Sequence, residues 1–82
     1  MAMDTVHNYY ERLIFNEIKE KYGDNIDENQ AADMACIALN RIAPRYIRYD
    51  IDMSFYMSTD EHWEIQKRVT KAVKKAYKKV KD

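Results

Sequence analysis

The chain is poor in the residues that punctuate or staple a fold: its 82 residues include one glycine, Gly23, one proline, Pro44, and one cysteine, Cys36. A single glycine cannot build the glycine-rich loop that brings backbone amides against a phosphate chain, which argues against nucleotide hydrolysis of the P-loop or kinase kind. A single cysteine permits no internal disulfide, excludes a multi-cysteine zinc motif and fits a reducing compartment. No apolar run approaches the roughly 18 residues of a membrane span, and residues 1–6 show no basic stretch leading into an apolar one. A cytoplasmic location is therefore expected. Repeats, linkers and low-complexity segments are also missing.

What is there is the composition of a folded domain, 46% hydrophobic and 34% charged. Residues 1–82 make a single domain. A chain this short buries only about 60% of its unfolded surface, so its stability is marginal and self-association is the simplest way to add to it. The formal net charge is zero, yet the charges are segregated: residues 67–81 hold eight basic side chains and no acid. Such a stretch attracts phosphates or nucleic acid, although it more often forms a solvated helix face.

Three helices are expected. In the first, Asp4 serves as N-cap, Val6, Tyr9 or Tyr10, Leu13, Ile14, Ile18 and Tyr22 recur at helical spacing, and Gly23 stops it. Asp27 and Gln30 form a capping box for the second, whose apolar stripe is Ala31, Met34, Ala35, Ala38, Leu39 and Ile42 before Pro44 ends it. Ser58 and Glu61 open the third, which turns Trp63, Ile65, Val69, Ala72, Val73, Ala76 and Val80 inward and sets its lysines at the negative end of the helix dipole.

Between the second and third helices the pattern changes period. Ile47, Tyr49, Ile51, Met53, Phe55 and Met57 alternate with Arg48, Asp50, Asp52, Ser54 and Tyr56, the signature of a strand. At about 3.3 Å per residue this segment reaches roughly 35 Å, longer than a compact domain of this size, so it bends or leaves the body. No other strand is evident, and a tight hairpin lacks its glycine or asparagine. The expected fold is mainly α, with three principal helices and one extended β segment paired across a homodimer through Ile47, Tyr49, Ile51, Met53 and Phe55.

Catalytic constellations find no foothold. His7 and His62 fall on different helices without an acidic or cysteine partner at ligand spacing, and no metal site is expected. Cys36 sits one position off an apolar stripe and reads as a small core hydrophobe. No serine is set beside a histidine and a carboxylate, and Asp50 and Asp52, about 7 Å apart on one strand face, are too loose a pair to hold a metal without further ligands. The five methionines and seven tyrosines follow helix and strand spacing, as packing residues do. There remain Arg41, Arg45 and Arg48, interleaved with Tyr46 and Tyr49. Guanidinium forks bind phosphates and stack on flat bases, but such arginines are more often a helix cap and exposed charges.

Two motifs carry a resemblance. The run Val6, His7, Asn8, Tyr9, Tyr10, Glu11 and the run Asp33, Met34, Ala35, Cys36, Ile37, Ala38, Leu39, Asn40, Arg41, Ile42, Ala43, Pro44, Arg45, Tyr46 resemble the late competence development protein ComFB family over nearly the whole chain. The Ala-Leu-Asn-Arg-x-x-Pro-x-Tyr pattern is the more specific of the two. The resemblance implies a small, mostly helical bacterial dimer, without catalytic activity, associated by name with competence and in some members a receptor for cyclic dinucleotides such as c-di-GMP. Founding members also hold zinc through cysteines between the first two helices. Here residues 25–30 read Asn-Ile-Asp-Glu-Asn-Gln, so that site is expected to be absent.

The family's motif positions fall on Asn8, Glu11, Asn40, Arg41, Pro44, Arg45 and Tyr46. Arg41, Arg45, Tyr46 and Arg48 have the chemistry a cyclic dinucleotide needs, two phosphates to neutralise and two bases to stack, and Asn8 and Asn40 stand close by in the motifs. Together with these residues, the resemblance implies a homodimeric, non-enzymatic signalling module binding c-di-GMP or c-di-AMP at these six residues, with no cofactor, no membrane partner and an unknown downstream protein. The alternative is a protein- or DNA-interacting adaptor in competence or motility regulation, working through the basic last helix. Nucleic acid is the less expected partner, because those charges surround an apolar stripe and lack aromatic platforms.

Overall fold

The structure is a computed structural model, and it describes residues 6–49, 51 and 57–81. Three helices and a two-stranded sheet follow in the order β1 (His7–Asn8), α1 (Tyr10–Tyr22), α2 (Glu28–Arg41), β2 (Tyr46–Ile47) and α3 (Thr59–Lys81). Each helix packs on the other two. The core is the sum of their apolar stripes: Tyr10, Ile14 and Ile18 from α1, Met34, Ala35, Ala38 and Ile42 from α2 and its end, and Ile65, Val69, Ala72, Val73 and Ala76 from α3. Alanines at four of these positions let α2 and α3 approach closely. Tyr22 stacks on Tyr77 at 4.4 Å between ring centroids and joins the far ends of α1 and α3.

The helix boundaries have local causes. At α2 the capping box is complete: the Gln30 amide donates to Asp27 Oδ1 at 2.8 Å, and the Asp27 amide donates to Gln30 Oε1 at 3.0 Å. Helix α2 ends at Arg41, where Ile42 turns to extended backbone ahead of Pro44. At α3 the Glu61 amide donates to Ser58 Oγ at 3.2 Å. Gly23 terminates α1 while keeping right-handed helical angles, its amide reaching the Lys19 carbonyl.

The first helix begins later than its periodicity predicts. Residues His7 and Asn8 are drawn into β1 instead, α1 starts at Tyr10, and Asp4, the expected cap, lies outside the described residues. Strand β1 gives the extended segment an internal partner that is not evident in the sequence. It pairs antiparallel with β2, His7 opposite Ile47 and Asn8 opposite Tyr46. A two-residue strand at an unusual start leaves no readable alternation.

Within the described residues the extended segment is correspondingly short. Arg48 bends out of it and Ile51 has helical backbone; Asp50, Asp52, Met53, Ser54, Phe55 and Tyr56 lie outside the described residues. A period-two face contains every i, i+4 pair as well, so alternation alone does not separate a strand from a helix here. Two side chains expected in the core stand outside it: Trp63 is 65% exposed in the first turns of α3, and Cys36 is exposed on α2. Both lie on the side of their helix turned away from its buried stripe.

Candidate functional site

The short sheet is locked by one buried side chain. Asn8 is 7% exposed, and its Oδ1 accepts from the amide of Tyr10 at 3.2 Å and from the amide of Arg45 at 3.0 Å. The Tyr9 amide in turn donates to the Arg45 carbonyl at 2.7 Å. Asn8 therefore satisfies an amide at the start of α1 and ties it to the chain leaving α2, as an asparagine does at helix starts. Arg45 has both main-chain polar groups held, so its side chain leaves the backbone from a fixed point.

Two hollows meet beside this clasp, and the buried ring of Tyr10 and the side chain of Arg68 line both. The larger, about 480 Å³, runs between the end of α2 and the middle of α3 and is lined by Arg41, Arg68, Lys71 and Lys75 over Tyr10, Ile42, Ala43 and Ala72. Four cations and no acid line it, and its volume falls in the range of about 300–1,000 Å³ common for small-molecule sites. The smaller, about 250 Å³, sets Arg45 and Arg68 against Asp60, Glu61 and Glu64 over Tyr10 and Ile65. Arg68, Lys71, Ala72 and Lys75 share one face of α3 because they are three or four residues apart.

The expected site residues are thus only partly brought together. Arg41 lines the basic groove and Arg45 the mixed hollow next to it. Arg48 lines neither; its guanidinium lies 5.3 Å from the ring centroid of Tyr49, a cation–π contact. Tyr46 is 67% exposed on β2. Asn40 bonds back to its own helix, donating from Nδ2 to the Cys36 carbonyl at 2.8 Å. Of the residues expected at a dimer interface, Ile47 is half-buried in β2, Tyr49 and Ile51 are exposed, and Met53 and Phe55 lie outside the described residues. Arg68, Lys71 and Lys75 were not expected at the arginine site. Their spacing was visible, but not that α2 ends against that part of α3.

The loop between α1 and α2 does not fit a zinc ion. Residues 23–27 carry no cysteine or histidine, and among the described residues no three His, Cys, Asp or Glu side chains gather. Among the described residues no helix is long and apolar enough to cross a membrane. A third hollow, about 300 Å³, lies at the other end of α1, where Phe15, Ile18, Ile26 and Ala31 give it an apolar lining.

No curated protein of similar sequence is found. The family model described as late competence development protein ComFB matches residues 7–82, from β1 through the whole of α3. It takes in the Asn8 clasp, the end of α2 and the basic groove, and on that match the chain belongs to the ComFB family, a family of competence-related regulatory modules.

Proposed function

We propose that this chain is a non-enzymatic signalling module that receives a cyclic dinucleotide, c-di-GMP or c-di-AMP, in the basic groove between α2 and α3. One observation carries the reading: Arg41, Arg68, Lys71 and Lys75 converge on a groove whose floor is apolar and aromatic. A cyclic dinucleotide presents two phosphodiesters and two flat bases, which cations and an apolar floor suit. Arg45, on the adjoining wall, reaches the same ligand from the mixed hollow. Asn8 and Asn40 act on it through structure, Asn8 by fixing Arg45 and Asn40 within α2. The module works as a homodimer; Tyr46, Tyr49, Ile51 and Trp63, all more than half exposed, supply apolar surface for the contact.

Isothermal titration calorimetry with each dinucleotide at physiological salt tests this. Micromolar or tighter binding is expected, weakened at least tenfold by Arg41→Ala or Lys75→Ala, both exposed side chains whose loss spares the core. At about 100 times Kd the ligand adds roughly 2.7 kcal/mol, a rise in melting temperature on the order of 10 °C for a domain this small. Folded protein that gives no heat with either dinucleotide overturns the reading.

A further inference from the structure

The basic groove uses only part of the charge on α3. Eight basic side chains lie between residues 67 and 81, all exposed, and among the described residues only Lys67 has an ion-pair partner, Glu64 at 3.9 Å. The other seven cations on this helix repel one another, and among the described residues none of them has an ion-pair partner. Ile65, Val69, Ala72, Val73 and Ala76 of α3 are all buried in the core, and from residue 67 onward every exposed side chain of the helix is a cation. Along that face Arg68, Lys71, Lys75 and Lys78 succeed one another about once per helical turn, roughly 5 Å apart along the axis. Phosphates along a nucleic-acid strand recur at a comparable interval.

The kind of polyanion follows from what the face lacks. Within residues 67–81 the one aromatic, Tyr77, is half-buried and stacked on Tyr22, so the basic stretch itself offers no open ring on which an unpaired base can stack; the exposed ring of α3, Trp63, lies in its first turns, ahead of that stretch. The stripe that would insert into a lipid surface is already buried. A regular array of backbone phosphates, read through charge alone, is the partner that remains. The apolar stripe that these charges flank is buried in the core, so it does not stand between them and a duplex.

We propose that the outer face of α3 binds the phosphate backbone of double-stranded nucleic acid without reading its sequence. Because Arg68, Lys71 and Lys75 also line the groove, a dinucleotide held there and a duplex exclude one another; this second part rests on the dinucleotide reading above.

Fluorescence anisotropy of a labelled DNA duplex of about 24 base pairs tests it. If four phosphates are neutralised, affinity falls roughly 150-fold between about 50 and 200 mM salt. Lys74→Glu with Lys78→Glu, both outside the groove, should weaken duplex binding at least tenfold and leave the heat with c-di-GMP in place. Excess c-di-GMP should release the duplex from the wild-type chain. Absence of an anisotropy change at low salt, a curve indifferent to salt or to the double charge reversal, a preference for single strands, or binding to anionic lipid vesicles in place of the duplex overturns the proposal. A duplex that stays bound under saturating dinucleotide overturns the exclusion. If neither dinucleotide gives heat, the function proposed above fails while the duplex result still stands or falls by itself.

Discussion

Replacing Asn8 with alanine removes one oxygen and unpairs two amides. Both partners, the amides of Tyr10 and Arg45, bond to the same Oδ1, and the residue that carries it is almost fully buried. An amide left without a partner in a buried site costs about 1–3 kcal/mol, and water that enters the gap at the edge of the sheet recovers some of it. The expected loss for Asn8→Ala is thus about 2–4 kcal/mol, a large part of the stability of a domain this small. With about 4–8 °C per kcal/mol for domains of this size, the melting temperature should drop by on the order of 10–20 °C.

Asn8→Asp provides the control. A carboxylate keeps an oxygen at the same place, accepts both bonds, and stands near the positive end of α1, so it should recover most of the loss. Thermal unfolding followed by circular dichroism, with urea titration for the slope, gives both numbers. If Asn8→Ala melts within about 2 °C of the parent, the clasp is not what holds the start of α1 to the end of α2. If Asn8→Ala instead leaves the melting temperature unchanged and abolishes dinucleotide binding, Asn8 touches ligand directly and its structural assignment is wrong.

Two further substitutions test the helix ends and the charge pairs. Gly23→Ala places a Cβ 2.5 Å from the Lys19 carbonyl oxygen, a backbone atom that cannot swing aside, so although Gly23 has ordinary helical angles the change should cost about 1 kcal/mol, read as a lower urea midpoint. Glu17, 6% exposed, pairs with Lys21 at 2.8 Å and accepts from Gln66 Nε2 at 3.4 Å, joining α1 to α3; the hydrogen bond and the charge of Glu17 raise the Lys21 ammonium above its ordinary value of 10.5. A raised lysine contributes stability that is complete below its unfolded pKa and is lost as pH climbs through the folded one. Urea midpoints should therefore fall above about pH 10.5, and Lys21→Met should flatten that part of the profile; a variant with the parent's alkaline slope would remove Lys21 as its source.

Most of the helical frame was legible because each helix states its case twice, once in periodicity and once at its ends. Met34, Ala35 and Ala38 mark the buried face of α2, and Asp27 with Gln30 mark its start independently. The beginning of α1 was not legible, since Val6 extends an apolar period that the chain abandons: a contact with Arg45, 37 residues away in sequence, holds Asn8 out of the helix. Propensity read within a window cannot register such a contact. The site divides the same way. Arg41 and Arg45 stood out as a local cluster, whereas the contribution of Arg68, Lys71 and Lys75 depends on how α2 meets α3. Asn40, equally prominent in the motif, spends its amide on the carbonyl one turn back.

The arrangement also explains how so small a domain tolerates so much unpaired charge. Helix α3 is the longest element, 23 residues, and its buried face meets both other helices. Burial of Val69 and Val73 alone is worth on the order of 3 kcal/mol at about 1.5 kcal/mol or more for each such side chain. Like charges at i, i+4 cost only a few tenths of a kcal/mol per pair, and the lysines of the last turn recover part of that at the negative end of the helix dipole. Repulsion is therefore an affordable burden for α3 but a steep one for a loop, which has no buried face to offset it. Clustered cations are best carried by the element with the most core beneath it, and in this chain three of the four groove cations, Arg68, Lys71 and Lys75, stand on that helix with those of the outer face, Arg41 coming from the end of α2.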